Sequence, residues 1–404
     1  ESYGRARQDH IHRCQQHSQH AAEGDPPHDP ATAPLLRRKQ GRLPLAMDLV
    51  REGQLRRRIT RGDERPVTRA LPSPAPSRSA KPGAELSRPP GPPPAPSAAT
   101  LRAKDAARRM GIDFQILDWR EQFQAKVIDP YLNELSDGLT PNPCVRCNRQ
   151  IKWGALLRFA LAQGAEQLAS GHYARLVRGE DGLVSLWRGR DRSKDQSYFL
   201  SALNQDTFQH MLFPLADMTK AEVRQLAAGL DLPSFEGQES QDLCFLGAGG
   251  QEEFLQTYAP QLLEPGEIVD SSGAHIGQHP GLALFTVGQR RNIRVAGPEP
   301  YYVLRKDLEH NRLVVGFKDE LSADGILATD VNWISGSAPD LSRTYQMKIR
   351  SAASPAEGQV QILPNGDIIA RLEKPLRDIT AGQRLVIYDG DQCLGSALII
   401  ESRG

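Results

Sequence analysis

The chain changes character near Leu101, and this change decides which residues have the means to fold. Residues 1–100 carry roughly half of the thirty prolines, and the run 89–96 reads Pro-Pro-Gly-Pro-Pro-Pro-Ala-Pro. Apolar residues there show no periodicity, and Arg56-Arg57-Arg58 is loop chemistry. Such text buries too little apolar surface to offset the entropy of ordering. We therefore expect residues 1–100 to be a disordered or aberrant segment. It is either a basic tail or, as the opening Glu1 suggests, a stretch read from a frameshift or a wrong start.

From Leu101 the text becomes that of a globular α/β chain. Residues 103–110 read as a helix and 114–118 as a short strand. Residues 118–128 read as a second helix, which Pro130 ends or bends. Ile151, Ala155, Leu156 and Phe159 form one helical stripe over 151–162. Residues 168–172 read as a strand running into a loop. Thr219-Lys220-Ala221-Glu222 is a capping box that opens a helix stopping near Gly229, before Pro233. Alternating helices and strands predict a parallel α/β domain over 101–258.

Short strands then follow, at 268–269, 282–287, 301–304 and 313–315. A second set lies at 346–349, 360–363, 368–372 and 384–388. Pro364-Asn365-Gly366-Asp367 and Tyr388-Asp389-Gly390 are hairpin turns. We expect a small central β-rich module over 259–328 and a C-terminal β-barrel over 329–404, with a break near 325–335.

A net charge of +1 excludes a global polycation, so any nucleic-acid contact must come from local patches such as Arg290, Arg291 and Arg294. No apolar run is long enough to span a membrane. Five cysteines, an odd number, without a signal peptide favour a reduced, cytoplasmic protein, by default a monomer.

Three of those cysteines sit in polar, turn-rich settings: Cys144, Cys147 and Cys244. Cys14 and Cys393 read as small buried hydrophobes. A pair three apart with a third thiol far downstream suits sulfur transfer, a metal site or redox exchange. We expect a helix to begin after Asn148 and to leave Cys147 just before its first turn. The helix dipole with Arg146, Arg149 and Lys152 would then make Cys147 an acidic, reactive thiol. Cys244 lies in a loop with Asp242, bounded by Gly237 and Gly247, exposed enough to carry a persulfide.

Five segments occur in one order: 140–148 (Thr-Pro-Asn-Pro-Cys-Val-Arg-Cys-Asn), 169–174 (Ala-Ser-Gly-His-Tyr-Ala), 194–200 (Lys-Asp-Gln-Ser-Tyr-Phe-Leu), 240–245 (Ser-Gln-Asp-Leu-Cys-Phe) and 286–290 (Thr-Val-Gly-Gln-Arg). With them the chain from about 101 onward resembles the tRNA-specific 2-thiouridylase family. The resemblance implies a PP-loop ATPase domain of the adenine-nucleotide alpha-hydrolase type, a Rossmann-like parallel sheet, here incomplete at its N-terminal side. It implies that ATP, with Mg2+, adenylates the C2 oxygen of a wobble uridine in tRNA, and that a persulfide then delivers sulfur to C2. On that pattern Cys244 carries the persulfide, and Cys147 is the partner thiol that closes a transient disulfide with it. Gly171 lies against the nucleotide. Asn142, Pro143 and Cys144 line the pocket of the flipped base. His172, Lys194, Asp195, Gln196, Arg350 and Gln383 touch tRNA. The sulfur comes from a persulfide donor such as a cysteine desulfurase or a sulfur relay protein.

Two departures from the family pattern open alternatives. Cys144 stands where many members have Asp, so Cys144, Cys147 and Cys244 together suggest an iron–sulfur cluster of the 4Fe–4S type and a redox protein. The family's phosphate-binding loop, Ser-Gly-Gly-x-Asp-Ser, is not found in the sequence. That suggests a catalytically inactive tRNA-binding relative.

Overall fold

A computed structural model describes residues 97–230, 232, 243–247 and 249–404. The expectations for residues 1–96, and those resting on Gly237 and on 240–242, lie outside the described residues. The first described helix, Ala98–Met110, starts earlier than its apolar pattern predicts, because Ser97 caps it: the Thr100 N–H donates to Ser97 Oγ at 3.2 Å. Gly111 ends it in the left-handed conformation, φ 64°. Residues 114–118 form no strand. A strand needs a ladder, and none of the described strands pairs with this stretch.

The next helical stretch runs through Pro130 as Arg120–Phe123, Gln124–Ile128 and Asp129–Ser136. The middle piece is a π-helix. Its wider turn accommodates a proline that lacks an N–H and would clash with an ordinary preceding turn, so Pro130 neither ends nor breaks the element. This stretch buries Ile128, Tyr131, Leu132 and Leu135 against Phe254, Leu255, Ala259 and Ala283.

The parallel element of the α/β domain is seen as β1 (Leu168–Ala169) beside β4 (Met211–Leu212). The hairpin β2 (Ala174–Arg178) and β3 (Val184–Arg188) lies between them in sequence. The helix Lys220–Gly229 opens with the expected capping box on Thr219 and Glu222.

The central module is one four-stranded sheet. Its strands are β5 (Gly266–Val269), β6 (His275–His279), β7 (Tyr302–Asp307) and β8 (Arg312–Gly316), in the order β6-β5-β8-β7. The predicted strand over 282–287 is instead a 3-10 turn, Leu282–Leu284. Leu282 and Phe285, three residues apart, are both buried in the central core, and a turn rather than a strand puts such a pair on one side.

The C-terminal barrel is closed. It contains β9 (Ala323–Trp333), β10 (Tyr345–Lys348), β11 (Ala356–Ile362), β12 (Ile368–Leu376), β13 (Arg384–Asp389) and β14 (Gln392–Arg403). The order is β13-β10-β11-β12-β9-β14, and β13 pairs with β14 to close the ring. Strand β9 runs straight through the expected break at 325–335 and pairs with β12 and β14 on both sides of it. Its N-terminal half is therefore barrel, not central module.

Strand β14 also pairs with β3, Cys393 opposite Leu186. The α/β domain and the barrel thus share one core, in which Leu186, Tyr198, Phe208, Val386, Tyr388 and Cys393 are all buried. Each fully buried large apolar side chain there contributes about 1.5–3 kcal/mol. The shared core sets the orientation of the two units.

Candidate functional site

The Pro141-Asn142-Pro143 segment builds the helix that carries the paired cysteines. Asn142 is its N-cap: Oδ1 accepts from the Val145 N–H at 3.3 Å, and Pro143 begins the helix Pro143–Cys147, where its missing N–H costs nothing. This helix continues without a break into the π-helix Asn148–Leu156 and then Leu157–Ala162. The start after Asn148 predicted from sequence is therefore displaced. Cys147 lies a full turn inside the helix, beyond the strongest field of the dipole, and Cys144 occupies the first turn instead. The predicted stripe also shifts: Ile151, Trp153 and Leu157 are buried, while Ala155, Leu156 and Phe159 are only half-buried.

Two of the three cations expected to activate Cys147 are engaged elsewhere. Arg146 pairs with Glu134, and Arg149 reaches Asp330 of the barrel at 3.6 Å. Lys152 acts on Cys144, favouring its thiolate, but burial wins and pushes the Cys144 thiol up, with the Cys244 thiol adding to the shift. Cys244 therefore lies within electrostatic reach of Cys144, although a hundred residues separate them in sequence.

Cys244 is exposed because its neighbours are not. Leu243, Phe245 and Leu246 pack on the apolar cluster around Tyr131 and Phe254. The Phe245 ring stands edge-on to Tyr131 at 5.2 Å. A turn bonded from Leu246 N–H to Leu243 O at 3.1 Å holds the thiol outward. Cys144 and Cys147 are half-buried. Cys147 and Cys244 are not joined as a disulfide. Cys393 is buried, as the sequence suggests.

Gly171 lies exposed just past the carboxyl end of β1, where ligands bind in open parallel sheets. An added Cβ would meet only Leu215, at 3.7 Å, so the space in front of Gly171 is open. The described residues do not support an iron–sulfur cluster: among them no group of three or more His, Cys, Asp or Glu side chains is placed to hold a metal ion.

Several expected tRNA contacts are engaged inside the protein. His172 is 3% exposed; its Nδ1 meets Ser170 Oγ at 2.5 Å, and its ring packs near Trp153 and Phe213. It presents no surface to a polymer. Asp195 accepts from the Gly189 N–H at 3.1 Å and from the Ser197 hydroxyl at 2.8 Å. Gln196 accepts from the Tyr173 N–H at 3.0 Å and donates its own N–H to the Tyr173 carbonyl at 2.9 Å. Both therefore shape the loop that presents half-buried Lys194.

Arg350 donates to the Val287 carbonyl at 2.9 Å and to Thr380 Oγ1 at 2.5 Å, tying the Thr-Val-Gly-Gln turn to the barrel. Gln383 donates to the Thr140 carbonyl at 2.9 Å and accepts from Asn142 Nδ2 at 3.3 Å. Sequence reasoning, through the family resemblance, expects Arg350 and Gln383 on tRNA; in the folded chain both also tie modules together. It missed Gly382 and Lys306. At Gly382 a Cβ would lie 2.8 Å from the Thr140 carbonyl, and φ is +92°. Lys306 Nζ reaches the Leu139 carbonyl at 3.5 Å, and burial pushes its pKa down to about 8. A lysine alternating along a strand gives no sequence signal of this.

A HUP-type α/β domain with thiols gathered on one helix and one loop, followed by a barrel module and a closed β-barrel, defines a thiol-bearing relative of the PP-loop ATPases. Comparison with known families agrees. The tRNA methyl transferase HUP domain matches residues 91–248, the tRNA methyl transferase PRC-barrel domain residues 252–317 and the aminomethyltransferase β-barrel domain residues 323–399. The tRNA-specific 2-thiouridylase MnmA of Geobacter metallireducens is 44% identical over 299 residues, covering 74% of this chain and 80% of the relative. Those of Chloroflexus aggregans and Magnetococcus marinus are each 42% identical, covering 74% of this chain and 84% and 83% of the relatives. The chain belongs to the tRNA-specific 2-thiouridylase family.

Proposed function

We propose that this chain is a tRNA-uridine 2-sulfurtransferase. The observation that carries the reading is the exposed Cys244 within electrostatic reach of Cys144, in a chain whose three domains all match those of the family. A carbonyl oxygen is a poor leaving group, so ATP, with Mg2+, first adenylates the C2 oxygen of the wobble uridine. Gly171 supplies the open approach for the nucleotide. Asn142, Pro143 and Cys144 line the pocket of the flipped base on this reading, and Lys194 offers its charge from the Asp195–Gln196 loop.

Cys244, exposed on a turn with buried flanks, is the group best placed to accept sulfur from an external persulfide donor. The terminal sulfur attacks C2, AMP leaves, and the base is joined to Cys244 through a disulfide. The Cys147 thiolate then attacks the Cys244 sulfur. The electron pair of the broken S–S bond stays on the base as 2-thiouridine, and Cys147 and Cys244 are left as a disulfide for an external thiol to reduce. Among the described residues no helix is long and apolar enough to cross a membrane. We assign the reaction to the cytoplasm and the chain to a monomer, with domains near 101–258, 259–322 and 323–404.

The test is thiolation of an unmodified tRNA transcript by the purified chain, with ATP and a persulfide source, read by mass spectrometry of the wobble nucleoside. Sulfur gained by the wild type and lost in Cys244→Ala supports the reading. Bound tRNA with no product would select the inactive tRNA-binding relative.

A further inference from the structure

Four arginines line the joint between the central module and the barrel. Arg290, Arg291 and Arg294 stand exposed on the loop after Gln289, and Arg377 stands exposed just past the end of β12. The joint itself is tight. A Cβ on Gly288 would lie 2.1 Å from Asp378 Oδ1, and one Arg350 nitrogen donates to the carbonyls of both Val287 and Asp378. The chain neighbours of Arg290 and Arg377 are therefore fixed against each other.

The loop is locked in a strained form that displays these side chains. Asn292 and Arg294 have φ of 66° and 58°, a region that side-chain-bearing residues avoid. Between them Ile293 is buried in the central core and anchors the loop. Gln289 Oε1 accepts from the Thr286 N–H at 3.0 Å, and its amide donates to the Arg291 carbonyl at 2.9 Å. Backbone strain held by its surroundings concentrates where a site needs a fixed geometry.

The charges are also uncompensated. Arg175, Arg190, Arg192 and Arg343, also exposed, each pair with a carboxylate. Among the described residues no acidic side chain pairs with Arg290, Arg291, Arg294 or Arg377. Asp378, the acid of this joint, acts on Arg350. Exposed guanidinium groups on a fixed loop and beside it, without a carboxylate partner, suit the phosphates of a nucleic-acid backbone.

We propose that Arg290, Arg291, Arg294 and Arg377 form a phosphate-binding ridge that holds the tRNA backbone across the joint of the central module and the barrel. This rests on the sulfurtransferase reading. The ridge positions the substrate without reading its bases, so it contributes to binding and not to the sulfur-transfer step.

The experiment measures tRNA binding by the full chain against salt concentration. Each lost phosphate contact lowers the log–log salt slope by about 0.7–0.9. The R290A/R291A/R294A/R377A variant is expected to lose a slope of two or more and to bind at least ~10-fold more weakly at low salt. Its kcat at saturating tRNA stays that of the wild type, and the fourfold lysine variant keeps most of the slope. R294G relieves the strained backbone, so it should melt no lower than the wild type while binding tRNA less tightly. An unchanged slope in the alanine variant, or unchanged affinity in R294G, overturns the ridge. A wild-type chain that binds tRNA but does not thiolate it overturns the sulfurtransferase reading and leaves the ridge standing. One that does not bind tRNA overturns both.

Discussion

Asn142 and Gln383 meet side chain to side chain at 3.3 Å across 241 positions of sequence, and this contact fixes the cysteine helix to the barrel. Asn142 caps that helix with its oxygen and donates to Gln383 with its nitrogen, while Gln383 also donates to the Thr140 and Pro141 carbonyls. The residue that starts the helix is thus also the one the barrel grips.

Gln383→Ala removes the barrel's hold and leaves the Thr140 carbonyl without its side-chain donor. Urea unfolding should show a loss of about 1–3 kcal/mol, and thiolation should fall because the cysteine helix is released. Unchanged stability with lost tRNA affinity would instead make Gln383 a direct ligand of tRNA.

Gly382→Ala should be at least as harmful. The substitution places a methyl group 2.8 Å from the Thr140 carbonyl at a φ of +92°. A destabilisation of about 1–3 kcal/mol follows from strain and forced separation. A melting temperature equal to that of the wild type would contradict the close approach.

Thiol labelling should rank the cysteines by exposure and charge. Cys244 reacts first with iodoacetamide. Cys144 lags, because burial and the Cys244 thiol push its pKa up. Cys393, buried beside Tyr388 with its thiol pushed up, should label only after unfolding. Peptide mass spectrometry over a time course reads the order, and early labelling of Cys393 would contradict the shared core.

Lys306 ties stability to alkaline pH. Burial lowers its pKa from 10.5 to about 8, so between these values the unfolded chain holds a proton that the folded chain has shed. Stability contributed by this group therefore rises from pH 8 to 10.5, and the burial penalty is complete below pH 8. Lys306→Met should flatten that rise relative to the wild type in urea midpoints measured across the range. Parallel curves for the two proteins would reject the assignment.

Local signals carried much of the fold. The Thr219–Glu222 capping box, the Gly366 and Gly390 hairpins and most barrel strands stand where their residues predict them, because caps, turns and alternation are short-range effects. Residues 114–118 and 282–287 failed as strands, since a strand is decided by neighbours that the local text does not name. The ties around the candidate site were not legible in the sequence. The family resemblance implies tRNA contacts for His172, Asp195, Gln196, Arg350 and Gln383, yet in the folded chain their side chains bond to other parts of the protein.

The sequence by itself determined which segments fold as modules and to which family the chain belongs, because periodicity and motif spacing are properties of the linear text. Only the tertiary structure decided that Cys147 lies a turn inside its helix, that Cys244 approaches Cys144, and that β3 and β14 weld the α/β domain to the barrel. Those outcomes depend on burial and on contacts between residues far apart in the chain, and such contacts exist only once the chain has closed on itself.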